Sequence, residues 1–117
     1  MSDIRLRKIE SLLREEISLL ILNGKIKDPR VTPFITVTQV KSSRDLSYAK
    51  IYLSSFEIDR KLESAVEAMN HAAGFIQREV GKKLQTRTTP RLTFIKDTSI
   101  KDGFEVNRKI EELNAQA

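Results

Sequence analysis

The chain has no cysteine and no tryptophan, and it contains one histidine, three prolines, four glycines and only two tyrosines. Without cysteine, disulfide bonds and thiolate metal sites are excluded. No stretch approaches the ~18 apolar residues that a membrane span requires, and the charged start, residues 1–10, lacks the apolar segment of a signal peptide. We therefore expect a cytoplasmic protein without a membrane partner, folded as one domain over its 117 residues.

The surplus positive charge is concentrated in one part of the chain. Its net charge of +5 comes from 21 basic and 16 acidic residues. Residues 74–97 hold six basic against two acidic residues, a net charge of +4. Such a surplus favours a polyanionic partner, although a solvated lysine-rich surface explains the overall charge about equally well.

Hydrophobic patterning predicts the order helix, strand, strand, helix, bend, helix, strand. Apolar residues at steps of three and four predict a helix over Ile4–Asn23, ended by Gly24. Alternating apolar residues predict a β-hairpin within residues 34–55 and a third strand at Leu92–Lys96. Since a strand–helix–strand crossover in one sheet is normally parallel, we expect an α+β fold with a three-stranded mixed sheet and helices on one face. Phe104–Leu113 is predicted as a short last helix before a frayed end.

A glycine interrupts the helical region that follows the hairpin, for which Asp59 is the candidate N-cap. The apolar stripe there consists of Leu62, Val66, Met69, Ala73, Ile76, Val80 and Leu84. Gly74 falls within this stripe, where it costs roughly 1 kcal/mol relative to alanine. It indicates a kink, either for close packing of the helix on the sheet or for close approach of a phosphate. Gly74 alone does not distinguish the two.

Basic residues follow the kink. Arg78 and Lys82 are one helical turn apart and can share a face, and a helix N-terminus attracts phosphate. Tyr48 and Tyr52 lie on the same face of one predicted strand, where they could stack on bases. With so few aromatic residues, we favour a partly buried surface for both tyrosines.

Residues for catalysis or metal binding are sparse. Glu63, Glu67 and His71 are spaced one helical turn apart and could recruit a metal ion, but a solvated acidic helix face is the far commoner arrangement. No serine has a nucleophile-elbow context, and no Walker-type phosphate loop occurs. We therefore predict no enzymatic activity, no bound metal and no cofactor.

Four segments in one order resemble the bacterial ribosome-binding factor A family. They are KIKDPRV, ITVTQVKSSRDLSYAKIYLS, HAAGFIQREVGKKL and TPRLTFIKDTSIKDG, and the resemblance covers nearly all of residues 4–113. It implies a K-homology-like (KH-like) fold of type II, in which Ala72-Ala73-Gly74 takes the place of the Gly-X-X-Gly loop.

The resemblance also implies a function and a site. The expected protein is a non-catalytic, cold-shock-associated assembly factor that binds the free small (30S) ribosomal subunit and its 16S RNA. It would act as a monomer in late maturation and 5′-end processing, with other assembly factors as candidate further partners. The family's RNA-facing surface is carried over onto Ala72 and Gly74 as the kink and onto phosphate contacts at Arg78, Lys82, Lys83 and Arg87, with Arg30 and Arg44 as weaker candidates.

Three alternatives remain open from the sequence. A helix-turn-helix DNA regulator would use Phe75–Leu84 as its recognition helix, and such readers usually dimerise. A protein-interaction domain would keep its partner after loss of Arg78, Lys82 and Lys83. A small metalloenzyme is the weakest alternative, and metal analysis of the purified protein would decide it.

Overall fold

The computed structural model describes residues 3–55, 58–84, 86 and 88–98 of the chain. The elements follow the predicted order, so the α+β expectation is confirmed. They are α1 (Asp3–Leu22), β1 (Ile35–Ser42), β2 (Tyr48–Ser55), α2 (Asp59–His71), α3 (Ala73–Gly81) and β3 (Arg91–Lys96). The helix predicted at Phe104–Leu113 lies outside the described residues.

The three strands form one mixed sheet in the order β1-β2-β3. β1 runs antiparallel to β2, and β2 runs parallel to β3, as the crossover rule predicts. The hairpin loop is closed by the Ser43 amide, which donates to the Tyr48 carbonyl at 2.8 Å. Leu46 in this loop has a φ of 61°, a backbone conformation that is uncommon for a residue other than glycine. Its side chain is buried in the core, which stabilises this conformation.

One face of the sheet forms the core with the three helices. The inward-facing strand residues alternate along each strand, as a half-buried sheet requires; they include Ile35, Val37, Ala49, Ile51, Leu53, Leu92 and Phe94. α1 packs mainly on β1, while α2 and α3 pack on β3. The helices contribute Ile9, Leu13, Ile17, Ile21, Leu62, Met69, Ile76 and Val80 to the same cluster, and the loops add Ile26, Leu46 and Leu84. All three helices therefore lie on one side, and the other side of the sheet faces outward.

The end of α1 is set by a glycine. Gly24 has a φ of 65°, the left-handed conformation that favours glycine. The Gly24 amide donates to the Ile21 carbonyl at 3.2 Å, and the Lys25 amide donates to the Leu20 carbonyl at 3.0 Å. These two bonds form a Schellman motif, which turns the chain into the proline-containing loop.

The predicted cap of α2 is wrong by one residue. The helix begins at Asp59 itself, and Ile58 occupies the N-cap position without a side-chain hydrogen bond. The Lys61 and Leu62 amides both donate to the Ile58 carbonyl, at 3.0 and 3.2 Å. The start of α2 is therefore fixed by backbone hydrogen bonds rather than by a capping side chain.

Candidate nucleic-acid interface

The two helices after the hairpin meet at a single residue, Ala72. Its φ of −88° and ψ of 4° lie in the bridge region rather than in the helical region. Helical hydrogen bonds continue on both sides, from the Ala72 amide to the Ala68 carbonyl at 3.0 Å and from the Ile76 amide to the Ala72 carbonyl at 2.9 Å. The chain thus changes direction at Ala72 with little loss of hydrogen bonding.

Gly74 is the second residue of α3, and its side is exposed. A Cβ placed on it would meet nothing within 4 Å. Gly74 therefore lies outside the buried stripe, which continues in α3 through Ile76 and Val80. This glycine does not pack against the sheet either. The space beside its backbone is therefore open to a group of a binding partner, such as a phosphate.

The exposed side of α3 and the turn that follows it carry three of the predicted cations. Ile76 and Val80 are buried on the inner side, whereas Arg78, Lys82 and Lys83 are exposed. Lys82, at the C-cap of α3, has its Nζ 3.1 Å from Glu79 Oε1. Such a surface pair contributes little. We call Gly74, Arg78, Lys82 and Lys83 the α3 surface.

Arg30 and Arg44, two further predicted cations, lie in loops away from α3. Arg30 forms a fork on Asp28, with Nε 3.1 Å from Oδ1 and Nη2 2.9 Å from Oδ2, and its Nη1 lies 3.8 Å from Glu67 Oε2 on α2. The Arg30 hydrogen bonds lower the pKa of Asp28 to about 2. Arg44 is exposed in the hairpin loop, and Arg87 lies outside the described residues. Arg30 is thus already paired with two carboxylates, so it is a weaker candidate for a phosphate contact than Arg78 or Lys83.

A groove beside the junction adds residues that the sequence reasoning missed. It is lined by the loop residues Lys25 and Lys27 and by His71, Ala72 and Phe75 from the helices. Both lysines are exposed, and Ile26 between them is buried. The alternation of Lys-Ile-Lys after Gly24 is the signal that could have indicated them. The groove is also lined by Asp28, whose carboxylate is paired with Arg30. Two lysines and an exposed aromatic residue suit a phosphate-linked base.

The two tyrosines lie on the opposite side of the sheet from the α3 surface. Tyr48 is 59% exposed, more than expected, while Tyr52 is partly buried.

The carboxylates of the proposed metal group form ion pairs with cations, Glu63 with Lys96 at 3.3 Å and Glu67 with Arg30 at 3.8 Å. Among the residues described, no group of three or more suitable side chains could hold a metal ion, and no helix is long and apolar enough to cross a bilayer.

A family model described as ribosome-binding factor A matches residues 5–110. The chain belongs to the ribosome-binding factor A family. Curated relatives support this assignment over nearly the whole chain. Ribosome-binding factor A of Treponema denticola is 47% identical over 113 residues, covering 97% of this chain and 86% of the relative. Its counterpart from Borreliella burgdorferi is 45% identical over 112 residues, covering 96% and 93%.

Solved structures of the ribosome-binding factor A family share the fold. The crystal structure of the Thermus thermophilus protein superposes with a TM-score of 0.65 at 24% identity, covering 77% of this chain and 92% of that one. A solution structure from Thermotoga maritima gives a TM-score of 0.62 at 29% identity, covering 77% and 88%. These neighbours and the observed mixed sheet agree with the expected KH-like architecture.

Proposed function

We propose that this chain is a non-catalytic assembly factor that binds the free small ribosomal subunit through its ribosomal RNA. The exposed α3 surface carries this proposal, because it combines an open glycine with three cations that face outward. We further propose that it acts late in maturation of 16S RNA, including the 5′ end, as part of cold-shock adaptation. Such work takes place in the cytoplasm, where ribosomes are assembled.

A structural relative supports the choice of partner. A model of Thermus thermophilus RbfA was fitted into a cryo-electron microscopy map of a 30S–RbfA complex. This chain resembles that model with a TM-score of 0.62 at 25% identity, over 78% of this chain and 93% of that one. Shared fold, family membership and a basic exposed helix together favour the same class of partner.

Recognition by shape and phosphate fits the chemistry of the α3 surface. A phosphate can approach the backbone at Gly74 without meeting a side chain, while Arg78 and Lys83 have no ion-pair partner within the described part of the chain. Lys25 and Lys27 extend the positive charge across the groove. About five phosphate contacts predict a log–log salt slope of roughly −3.5 to −4.5.

Binding of this kind can assist folding of RNA without a reaction step. The factor stabilises one arrangement of immature RNA if its affinity for that arrangement exceeds its affinity for the mature one. It is released when the mature RNA fold or a later factor competes. The proposal therefore requires tighter binding to free small subunits than to complete ribosomes.

Co-sedimentation with purified free small subunits over a salt series tests the proposal. The triple variant Arg78→Glu/Lys82→Glu/Lys83→Glu should lose most binding, and the wild type should show the steep salt dependence given above. A control with the same change in net charge is Arg7→Glu/Lys8→Glu/Arg14→Glu on the exposed side of α1, which should bind nearly as the wild type does. Equal binding by the wild type and the α3 variant contradicts the proposed surface, and no binding at any salt concentration contradicts the function.

The helix-turn-helix alternative loses support from the helix junction. That motif joins its helices by a turn of three or four residues, whereas α2 and α3 are separated by Ala72 alone. Ala73 and Gly74 already belong to α3. A preference for duplex DNA over structured RNA would restore this alternative.

A further inference from the structure

The outward side of the sheet carries basic and aromatic side chains at regular positions. Strand residues that do not face the core alternate with those that do, so Lys41, Tyr48, Lys50, Tyr52 and Arg91 point to the same side. We call these five residues the sheet surface. The helices cover the other side, so the sheet surface and the α3 surface are separated by the sheet.

Two lysines of the sheet surface face each other directly. Lys41 on β1 is the register partner of Lys50 on β2, and like charges directly opposite in an antiparallel pair are destabilising. None of the residues in the three strands is acidic. Asp97 follows β3 at the end of the sheet away from Arg91, and its carboxylate accepts a hydrogen bond from the Thr38 hydroxyl. An anionic partner on this surface would relieve the repulsion between the two lysines.

The tyrosines lie within reach of these charges. Lys41 Nζ lies 5.6 Å from the centre of the Tyr52 ring, within the distance of a cation–π contact. Tyr48 is the register partner of Arg91 on the neighbouring strand, and both are exposed. Tyr48 and Tyr52 are four residues apart on one strand, which separates them by about 13 Å with Lys50 between them. The surface thus alternates aromatic rings with cations.

This pattern selects among anionic partners. Single-stranded nucleic acid offers both phosphates for the cations and free base faces for the rings, whereas a duplex keeps its base faces stacked inside. Sheets with exposed aromatic side chains bind unpaired RNA in this way. An acidic protein would satisfy the cations but leave the arrangement of the tyrosines unexplained.

We propose that the sheet surface is a second RNA site, where unpaired bases stack on Tyr48 and Tyr52 while Lys41, Lys50 and Arg91 contact phosphates. The inference rests on the proposed function, since it assigns a further surface to the same RNA partner. One molecule then contacts RNA on both sides of its sheet. It can hold an unpaired segment of immature RNA against another element bound at the α3 surface.

The intrinsic fluorescence of the protein reports on this site directly. The chain contains two tyrosines and no tryptophan, and both tyrosines belong to the sheet surface. The probe is an oligouridylate of about 12 nucleotides, within the ~4–16 nucleotides that a single-strand-binding fold covers. Binding by stacking should quench the tyrosine signal in proportion to the anisotropy change of a labelled oligonucleotide. Inorganic polyphosphate, which has charge but no bases, should not quench it.

Substitutions separate the contributions of rings and charges. Tyr48→Ala should weaken oligouridylate binding by about 5- to 100-fold, the effect of losing one base–aromatic stack, and Tyr48→Phe should restore most of it. Lys41→Glu/Lys50→Glu should weaken binding and reduce the salt slope by about 0.7 for each phosphate that the protein no longer neutralises. Arg7→Glu/Lys8→Glu on the exposed side of α1 makes the same change in net charge as Lys41→Glu/Lys50→Glu and should bind like the wild type apart from a small loss. Thermal unfolding of each variant checks that it is folded.

The outcomes distinguish this proposal from the proposed function. Absence of quenching at saturating oligouridylate, or equal affinity of Tyr48→Ala and wild type, overturns the sheet site. If free small subunits are still bound in that case, the proposed function stands without it. Equal quenching by polyphosphate also overturns stacking and points to a charge-only surface, which an acidic protein could occupy. Quenching that persists in the α3 triple variant supports two independent sites.

Discussion

The side-chain amide of Asn70 on α2 pairs with the backbone of Phe94 on β3. Asn70 Nδ2 donates to the Phe94 carbonyl at 2.9 Å, and Asn70 Oδ1 accepts from the Phe94 amide at 2.8 Å. Among the described residues, β3 is an edge strand, and an unpaired edge invites pairing with another chain. Asn70 therefore takes the place of a neighbouring strand at this point and fixes α2 to the sheet.

Replacing Asn70 by alanine should loosen this edge. The variant Asn70→Ala leaves the Phe94 amide and carbonyl without their partner, so we expect the free energy of unfolding to fall by about 1 kcal/mol. Urea unfolding measures the loss, and hydrogen exchange at the Phe94 amide should become faster. The amides of Thr93 and Ile95 serve as controls, since alternate residues of a parallel strand pair in the opposite direction. Unchanged exchange at Phe94 would show that the two hydrogen bonds do not protect this edge.

A side chain at Gly81 should be destabilising, because the Thr89 side chain lies against this glycine. A Cβ on Gly81 would stand 2.7 Å from Thr89 Oγ1. Overpacking of this kind costs about 1–3 kcal/mol, more than the gain of up to ~1 kcal/mol from alanine in a helix. Gly81→Ala should therefore lower the free energy of unfolding, as measured in urea.

The double variant Gly81→Ala/Thr89→Ala isolates the clash. Removal of the Thr89 hydroxyl should recover most of the stability that Gly81→Ala alone loses, compared with Thr89→Ala as the reference. Additive effects in this double-mutant cycle would mean that the two residues are not coupled. The close approach would then have no energetic consequence.

The Asp28–Arg30 fork predicts a pH-dependent part of stability. Hydrogen bonds from Arg30 lower the pKa of Asp28 from 3.8 to about 2, so the folded state favours the ionised carboxylate. This contribution is complete above about pH 5 and disappears as the pH falls towards the folded pKa. Asp28→Asn should therefore be less stable than the wild type near neutral pH, and the difference should shrink towards pH ~2.

Urea unfolding of both proteins at several pH values measures this difference. Arg30→Gln should reduce the same pH-dependent component, and the double variant should show little further change. A stability difference between wild type and Asp28→Asn that stays constant down to pH ~2 would contradict a lowered pKa. The Asp28–Arg30 pair would then be a surface contact, and the ionisation of Asp28 would not change the free energy of unfolding.

The sequence predicts the elements whose pattern is local. The alternation of Ala49, Ile51 and Leu53 places the buried face of β2, and Asn23-Gly24 marks the end of α1. Contacts between distant residues are not predictable in this way. Asn70 and Phe94 are 24 residues apart, and nothing in the local pattern around either residue indicates their pairing.

The candidate site is predictable in composition rather than in geometry. The cations of α3 stand out because basic residues cluster after Gly74, but the bend lies at Ala72. A glycine lowers helix propensity without specifying where a kink lies. Arg30 looks like a free cation in the sequence, because its pairing with Asp28 across Pro29 depends on the turn of that loop.

Gly74 gives a prediction in which stability and binding change in opposite directions. Its side is exposed, a Cβ would meet nothing within 4 Å, and its φ is not positive. Gly74→Ala should therefore raise the free energy of unfolding by up to about 1 kcal/mol. Gly24→Ala is the control, because a φ of 65° makes the same substitution destabilising there. If a phosphate approaches the backbone at Gly74, co-sedimentation of Gly74→Ala with free small subunits should be weaker although the protein is more stable. Undiminished binding would remove Gly74 from the contact surface and leave the cations of α3 to carry it.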